Sequence, residues 1–170
     1  KKETFSVENF REAFKKTLEV ILEKQLHRNF IFHASLCKIF DYLEADVKVY
    51  ISEIFDDDFE AFLTSKPSVE LALKLYTVAS AKTRKKIMKK VFKEEWANSV
   101  LAFDFNYLIV TKVLLTTDDT KLSTKQIIKP LIVYSDQFGF NSLIRVIHGI
   151  INPSKINKLL EYNLDISSKK

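Results

Sequence analysis

Two glycines and three prolines among 170 residues leave this chain almost without the residues that make tight turns. A β-sandwich or barrel needs such turns at short intervals, and a Rossmann or P-loop fold needs a glycine-rich loop around phosphate. Composition speaks against both. Cysteine is nearly absent too. Cys37 stands alone, so no internal disulfide can form, which fits a reducing compartment, and its place within FIFHASLCKIF predicts a buried thiol. No apolar run reaches the ~18 residues of a membrane span, and we expect no membrane association. Histidine occurs only as His27, His33 and His148, without HExxH or paired-ligand spacing, so we expect neither metal nor cofactor. His33, on an apolar face, reads as a satisfied core or interface histidine. Patterns of the GxSxG, P-loop and GxGxxG kinds are missing as well, and we expect no enzyme.

What is present is apolar and charged. Hydrophobic residues make up 46% of the chain, enough to build one core and too many for a disordered tail. With turns scarce, the remaining solution is an all-α domain with short polar connections. The net charge of +5 conceals a separation by sign. Residues 41–60 carry eight acids, Asp41, Glu44, Asp46, Glu53, Asp56, Asp57, Asp58 and Glu60, against Lys48 alone. Residues 82–93, KTRKKIMKKVFK, hold seven Lys/Arg and no acid. A basic face of that density suits a polyanion; the plainer reading is a solvated helix face.

Nearly every segment repeats at helical period. Phe10, Phe14, Leu18, Ile21 and Leu22 predict a first helix capped by Ser6, and a second runs from about 29 to 43. A third covers about 47–55, followed by a short turn through Phe59, Phe62 and Leu63. SKPSVELALKLYTVAS then places Pro67 in a first helical turn, where its missing N–H costs nothing. In the basic segment Ile87, Met88, Val91 and Phe92 share one face, with Lys82, Lys85, Lys86, Lys89, Lys90 and Lys93 opposite. Arg84 alone projects toward the apolar side and reads as an ion-pair or packing residue. Asp104 is expected to cap a helix holding Leu108, Ile109, Val113 and Leu114. In DDTKLSTKQ, Asp118 and Asp119 read as turn and cap residues, and Ser123 with Gln126 reads as a capping box. Further helices are expected at about 124–134 and 138–150, and a last one from Asn152 to about Tyr162. Asp56, Asp57 and Asp58 read as loop or first-turn residues at a helix N-terminus, since consecutive carboxylates diverge on a helix.

A weak internal repeat underlies this order. Second helices begin near Ser68, Asn106 and Gly139, 38 and 33 residues apart. A helix-pair period in the thirties is the signature of an α-solenoid, in which several pairs must stack to bury their apolar faces. The chain begins KKETF without an initiator Met, as a fragment of a longer solenoid would, so the lack of a targeting segment at its start carries no weight.

Residues 64–122, from TSKPSVELALKLY to LLTTDDTKL, resemble the Pumilio-like repeats of the Puf-A/Penguin family, above all their C-terminal CPL region. The features carrying the resemblance are Thr64, the small residue Ser68, the stretch AKTRKK at 81–86 with Thr83 in place of the usual Asp, and Asp118, Asp119, Thr120, Lys121 and Leu122. DQFGFNSLIRVIHGIINPSK (136–155) resembles that family's next block, and NFIFHASLCKIFDYL resembles an earlier repeat less specifically. Two of the three expected glycines are replaced, by Ser68 and Asn106. The resemblance implies a right-handed α-solenoid of Pumilio/HEAT-like repeats, about four helix pairs over residues 1–170, from the C-terminal part of a longer chain. It further implies a monomeric nucleolar protein that binds RNA, or DNA, with little sequence preference and takes part in ribosome assembly.

Pumilio repeats that read bases do so with polar side chains on the second helix. The corresponding pairs here are Val69/Leu73, Tyr107/Thr111 and Phe140/Ile144, and the stacking positions hold Glu70, Leu108 and Asn141. Only Thr111 and the Tyr107 hydroxyl could hydrogen-bond a base, so a one-base-per-repeat code is absent. Backbone contact by lysine remains. The candidate residues are Lys82, Lys85, Lys86, Lys89, Lys90 and Lys93, with Lys112, Lys121, Lys125 and Lys129 flanking the same repeat boundary. The partner expected is pre-ribosomal RNA, with ribosome-assembly proteins as an alternative partner for the acidic 41–60 segment.

Overall fold

A computed structural model describes residues 7–93 and 95–154. Every regular element among them is helical. In chain order these are α1 (Val7–Glu23), α2 (Phe30–Phe40), α3 (Ala45–Ile54), α4 (Lys66–Val78), α5 (Ala81–Val91), α6 (Trp96–Val100), α7 (Tyr107–Thr116), α8 (Thr120–Ser123), α9 (Lys129–Phe138) and α10 (Asn141–Ile151). Short 3-10 turns occupy Leu26–Arg28 and Phe59–Leu63, and a π-helical segment, Thr124–Ile128, joins α8 to α9.

Short polar side chains set the helix starts. The Asn29 carboxamide accepts from the Ile31 N–H at 2.9 Å and opens α2. Ser65 accepts from the Ser68 N–H ahead of α4, where Pro67 sits in the first turn as expected. Ser80 does the same for Thr83 at 3.1 Å, and the Thr83 hydroxyl lies 2.9 Å from Ser80 Oγ. Two expected caps fall elsewhere. Asp104 leaves α7 uncapped and instead meets Arg145 at 3.2 Å; α7 starts after Asn106. Ser123 and Gln126 form no capping box, because the helix already begins at Thr120. Asp119 caps it, accepting the Leu122 N–H at 2.9 Å, and the Ser123 hydroxyl donates back to the Asp119 carbonyl. The helix expected at 124–134 therefore starts earlier and reaches Phe138 through the π-helical segment. Ser6 and most of the helix expected from Asn152 to Tyr162 lie outside the described residues.

Helix α4 is central. It packs against α2, α3, the 59–63 turn and α7, and Leu71, Ala72, Leu73, Leu75 and Tyr76 are buried along it. An aromatic cluster of Phe55, Phe59 and Phe62 closes the core beneath the turn, with rings in edge-on contact. Full burial of such rings makes truncation of any one of them cost about 3–5 kcal/mol. His33 is buried among them, its ring 4.6 Å from that of Phe62. Its Nε2–H donates to the His27 carbonyl at 2.5 Å, which leaves Nδ1 to accept the Ser68 hydroxyl at 2.6 Å. Ser68 in turn accepts from Ser65 at 2.6 Å. This histidine–serine contact has the spacing of a base and nucleophile, but both residues are fully buried and no substrate reaches them.

The C-terminal end is less covered. Helix α10 packs on α7 and α9 through Leu143, Val146 and Gly149. Phe140, Ile144, Ile147 and Ile151, spaced along its other side, are exposed.

Candidate nucleic-acid interface

Helix α5 forms because its apolar residues recur at helical spacing and Ser80 supplies the cap. Ile87, Met88, Val91 and Phe92 are buried, and the lysines face outward, as the pattern predicts. The structure then divides those lysines into two rows. Lys86, Lys90 and Lys93 lie against the acidic turn that precedes α4. Lys86 Nζ donates to Asp56 at 2.7 Å and lies 3.1 Å from Asp57; Lys90 pairs with Asp57; Lys93 is 3.2 Å from Glu60. The Asp56 hydrogen bond, then that of Asp57, raises the pKa of Lys86. Hydrogen bonds from Lys90 and then Lys86 hold the Asp57 carboxyl below its usual range. These three ammonium groups are thus engaged within the chain, and the sign-pure face expected over 82–93 is half neutralised. The physical reason is packing: the Phe59–Leu63 turn contacts α5 and brings its flanking acids with it. Asp56, Asp57 and Asp58 lie in the loop directly ahead of the 59–63 turn, as expected, and Asp56, Asp57 and Glu60 are in addition partners of the basic helix.

Lys82, Lys85 and Lys89 make up the second row. They share one edge of α5 at spacings of three and four, are exposed, and form no ion pair among the described residues. Lys121, Lys125 and Lys129 are likewise exposed and unpaired among the described residues, at intervals of four along the helix from Thr120 to Phe138. Lys112 differs from all of these. It is buried at 7% exposure on α7, and burial, with the nearby positive charge of Arg84 adding to it, pushes its pKa down to about 8. It is therefore no part of a surface row. Arg84, read from the sequence as an ion-pair or packing residue, forms no ion pair among the described residues and lines a cleft at the start of α5.

The other acids of 41–60 are also engaged. Asp41 holds the buried Lys74 at 2.7 Å, and Glu44 and Asp46 both meet Arg11. Asp58 receives His27 and Arg28, each at 2.9 Å. Its burial works against ionisation, but those contacts outweigh it and its pKa is lowered. Only Glu53 of the eight acids has no such pair among the described residues.

At the positions that would read bases, Val69, Leu73 and Thr111 are buried, and the Thr111 hydroxyl donates to the Tyr107 carbonyl at 2.8 Å. Leu108, at a stacking position, is buried as well. Phe140 and Ile144 are exposed but have no polar atom to offer a base edge. Among the described residues no helix is long and apolar enough to cross a membrane, and no three His, Cys, Asp or Glu side chains gather as a metal ion would need.

The sequence signal for the missed partners lay in the spacing. Asp56 and Lys86 are 30 residues apart and Asp57 and Lys90 are 33 apart, about one helix pair, so tracts of opposite sign sit one repeat from each other. Comparison of the chain with family models, curated proteins and solved structures finds no match in any of the three.

Proposed function

We propose that this chain binds RNA, or DNA, through backbone phosphates without reading sequence, using the exposed row Lys82, Lys85 and Lys89. The observation that carries this reading is that these three lysines stand exposed along one helix edge and form no ion pair among the described residues. Lys121, Lys125 and Lys129 extend the positive surface if a strand follows the chain toward α9. Burial of Val69, Leu73 and Thr111 supports the lack of a base code. We place the helices in a right-handed α-solenoid of the Pumilio/HEAT-like kind. The exposed apolar stripe of α10 supports this, since each repeat of a solenoid offers its face to another. The resemblance to Puf-A/Penguin repeats makes pre-ribosomal RNA the natural partner, the nucleolus the natural compartment, and a non-catalytic role the natural function. The alternative, a scaffold presenting an acidic 41–60 face to assembly proteins, is weaker because nearly all of that charge is paired inside the chain.

Three phosphate contacts on a single strand give a salt slope of about −2, and six give about −4. The test is binding to unrelated RNAs and duplex DNA across a salt series, beside the variant Lys82→Glu/Lys85→Glu/Lys89→Glu. Similar affinity for every sequence and loss of binding in the variant are the expected results. A variant that folds and binds as the parent does would refute the reading.

A further inference from the structure

Between α6 and α7 the chain buries Val100, Leu101, Asn106 and Leu108, yet leaves the rings of Phe103 and Phe105 exposed. A single exposed aromatic is ordinary, but two on one short turn form a patch that calls for a partner. The turn is not loose. The Phe103 N–H donates to the Val100 carbonyl at 3.4 Å, and the Phe103 carbonyl accepts from the Asn106 N–H at 3.0 Å. The buried Asn106 carboxamide then ties the turn to the Val100 and Leu63 carbonyls. Both rings are thus carried on a fixed backbone, which leaves little ordering to be done on binding.

Cations from two other helices reach the same spot. The Lys66 ammonium, at the start of α4, lies 5.8 Å from the centre of the Phe105 ring. Arg145, from α10, stands 5.7 Å from the centre of the Tyr107 ring and meets Asp104, the acid between the two phenylalanines, at 3.2 Å. Lys66 is exposed and forms no ion pair among the described residues, so one positive charge is left beside the rings. The patch is also continuous with the basic helix. Helix α5 packs on the 59–63 turn, and Lys93, just past its end, reaches Glu60 in that turn at 3.2 Å. The turn ends at Leu63, whose carbonyl Asn106 holds, and Lys66 follows three residues later. A strand lying along Lys82, Lys85 and Lys89 and running on past Lys93 therefore arrives at Lys66 and the two rings.

We propose that Phe103 and Phe105 are a stacking platform for the bases of single-stranded nucleic acid, with Lys66 contacting the strand's phosphates beside them. This rests on the reading that the α5 lysines hold the backbone, and adds to it a preference for single strands over duplex. Base faces are free only in an unpaired strand, and stacking on an aromatic ring accepts any base. The platform needs no polar side chain at a base edge, in keeping with the missing code. A peptide would instead need a concave apolar groove or a free sheet edge, and rings standing outward on a turn offer neither.

The test measures binding of the whole chain, by fluorescence anisotropy over a KCl series, to three labelled probes. They are a thymidine oligomer of about ten nucleotides, an abasic oligomer of equal length and charge, and a duplex. Two stacked bases, each worth about fivefold or more, should make the thymidine oligomer bind at least about 25-fold tighter than the abasic one. Phe103→Ala/Phe105→Ala should remove that advantage and leave the abasic oligomer and the duplex bound as before. The salt slope should not change, since no phosphate contact is lost. Phe103→Tyr/Phe105→Tyr should keep the advantage, and Lys82→Glu/Lys85→Glu/Lys89→Glu should weaken all three probes alike. Equal affinity for the thymidine and abasic oligomers, or an undiminished advantage in a folded Phe103→Ala/Phe105→Ala variant, overturns the platform and leaves backbone binding standing. A thymidine advantage that depends on both rings, in a chain whose binding ignores salt, upholds the platform and overturns the backbone reading. Binding of none of the probes overturns both. Should the alanine variant not fold, the comparison of thymidine with abasic oligomer on the parent chain decides alone.

Discussion

Replacing Asp57 by Asn should strengthen polyanion binding while leaving the fold in place. Asp57 is exposed, pairs with Lys90, and lies 3.1 Å from Lys86. Its lowered pKa means that it is ionised at neutral pH and masks the charge of both lysines. Asparagine keeps the shape and removes the charge. Lys86 still holds the buried Asp56 at 2.7 Å, whereas Lys90 has no second acid among the described residues. The substitution therefore releases one lysine beside Lys89. One more phosphate contact on single-stranded RNA steepens the salt slope by about 0.7, so lowering salt from about 200 to about 50 mM should favour the variant by an extra factor of about 2.6. An exposed pair such as Lys90–Asp57 contributes only about 0.2–1 kcal/mol to stability, so the urea midpoint should move little. The assay is fluorescence anisotropy with a labelled homopolymer RNA over a KCl series, with urea unfolding of both proteins alongside. Parallel salt plots for variant and parent, with both folded, would refute the idea that Asp57 masks Lys90 from a phosphate backbone.

Two further expectations concern the interior. Asn106 occupies a glycine position of the repeat, yet its Nδ2 donates to the Leu63 and Val100 carbonyls at 2.9 and 2.6 Å from a fully buried site. Asn106→Ala strands both acceptors and should cost about 2–4 kcal/mol; Asn106→Asp, which aims a carboxylate at them, should be worse, and a urea midpoint unchanged in either would contradict the assignment. Burial lowers the pKa of His33 from 6.5 more than its bond to the His27 carbonyl raises it. The unfolded chain then binds the extra proton first, so stability complete above about pH 6.5 should fall below it by at most about 1.4 kcal/mol per pH unit, with a smaller slope between pH 6.5 and 5.5 in His33→Phe.

The positions of the helices were legible in the sequence from local cues. Pro67 stands in the first turn of α4 as its position predicts, and the apolar spacing of α5 is that of the helix observed, whereas the caps Asn29, Ser65 and Ser80 were not read from the sequence although each needs only neighbouring residues. Misreadings arose where two candidates competed. Asp119 and Ser123 can both start a helix four residues apart, and the earlier one wins because its carboxylate reaches the Leu122 N–H. Asp104 sits where a cap is plausible, but Arg145, 41 residues on, draws it away. The split of the basic helix into paired and unpaired rows could not be read from α5 at all. Its wheel places all six lysines outward, and only the packing of the 59–63 turn decides which of them meet an acid.

That division changes what a basic tract is evidence for. Had the six lysines of α5 all faced solvent, about six phosphate contacts and a slope near −4 on single strands would follow from this helix alone. With three of them holding Asp56, Asp57 and Glu60, the same density of charge also serves to dock the turn onto the helix, and only about half is left for a ligand. A three-lysine row binds weakly by itself. Useful affinity then requires a strand long enough to reach Lys121, Lys125 and Lys129 as well, since each added contact raises binding multiplicatively while adding no sequence preference. Affinity for this chain should therefore grow with oligonucleotide length until both rows are spanned, and then level off. Short oligomers that saturate the protein as tightly as long ones would instead place the binding at a single compact site.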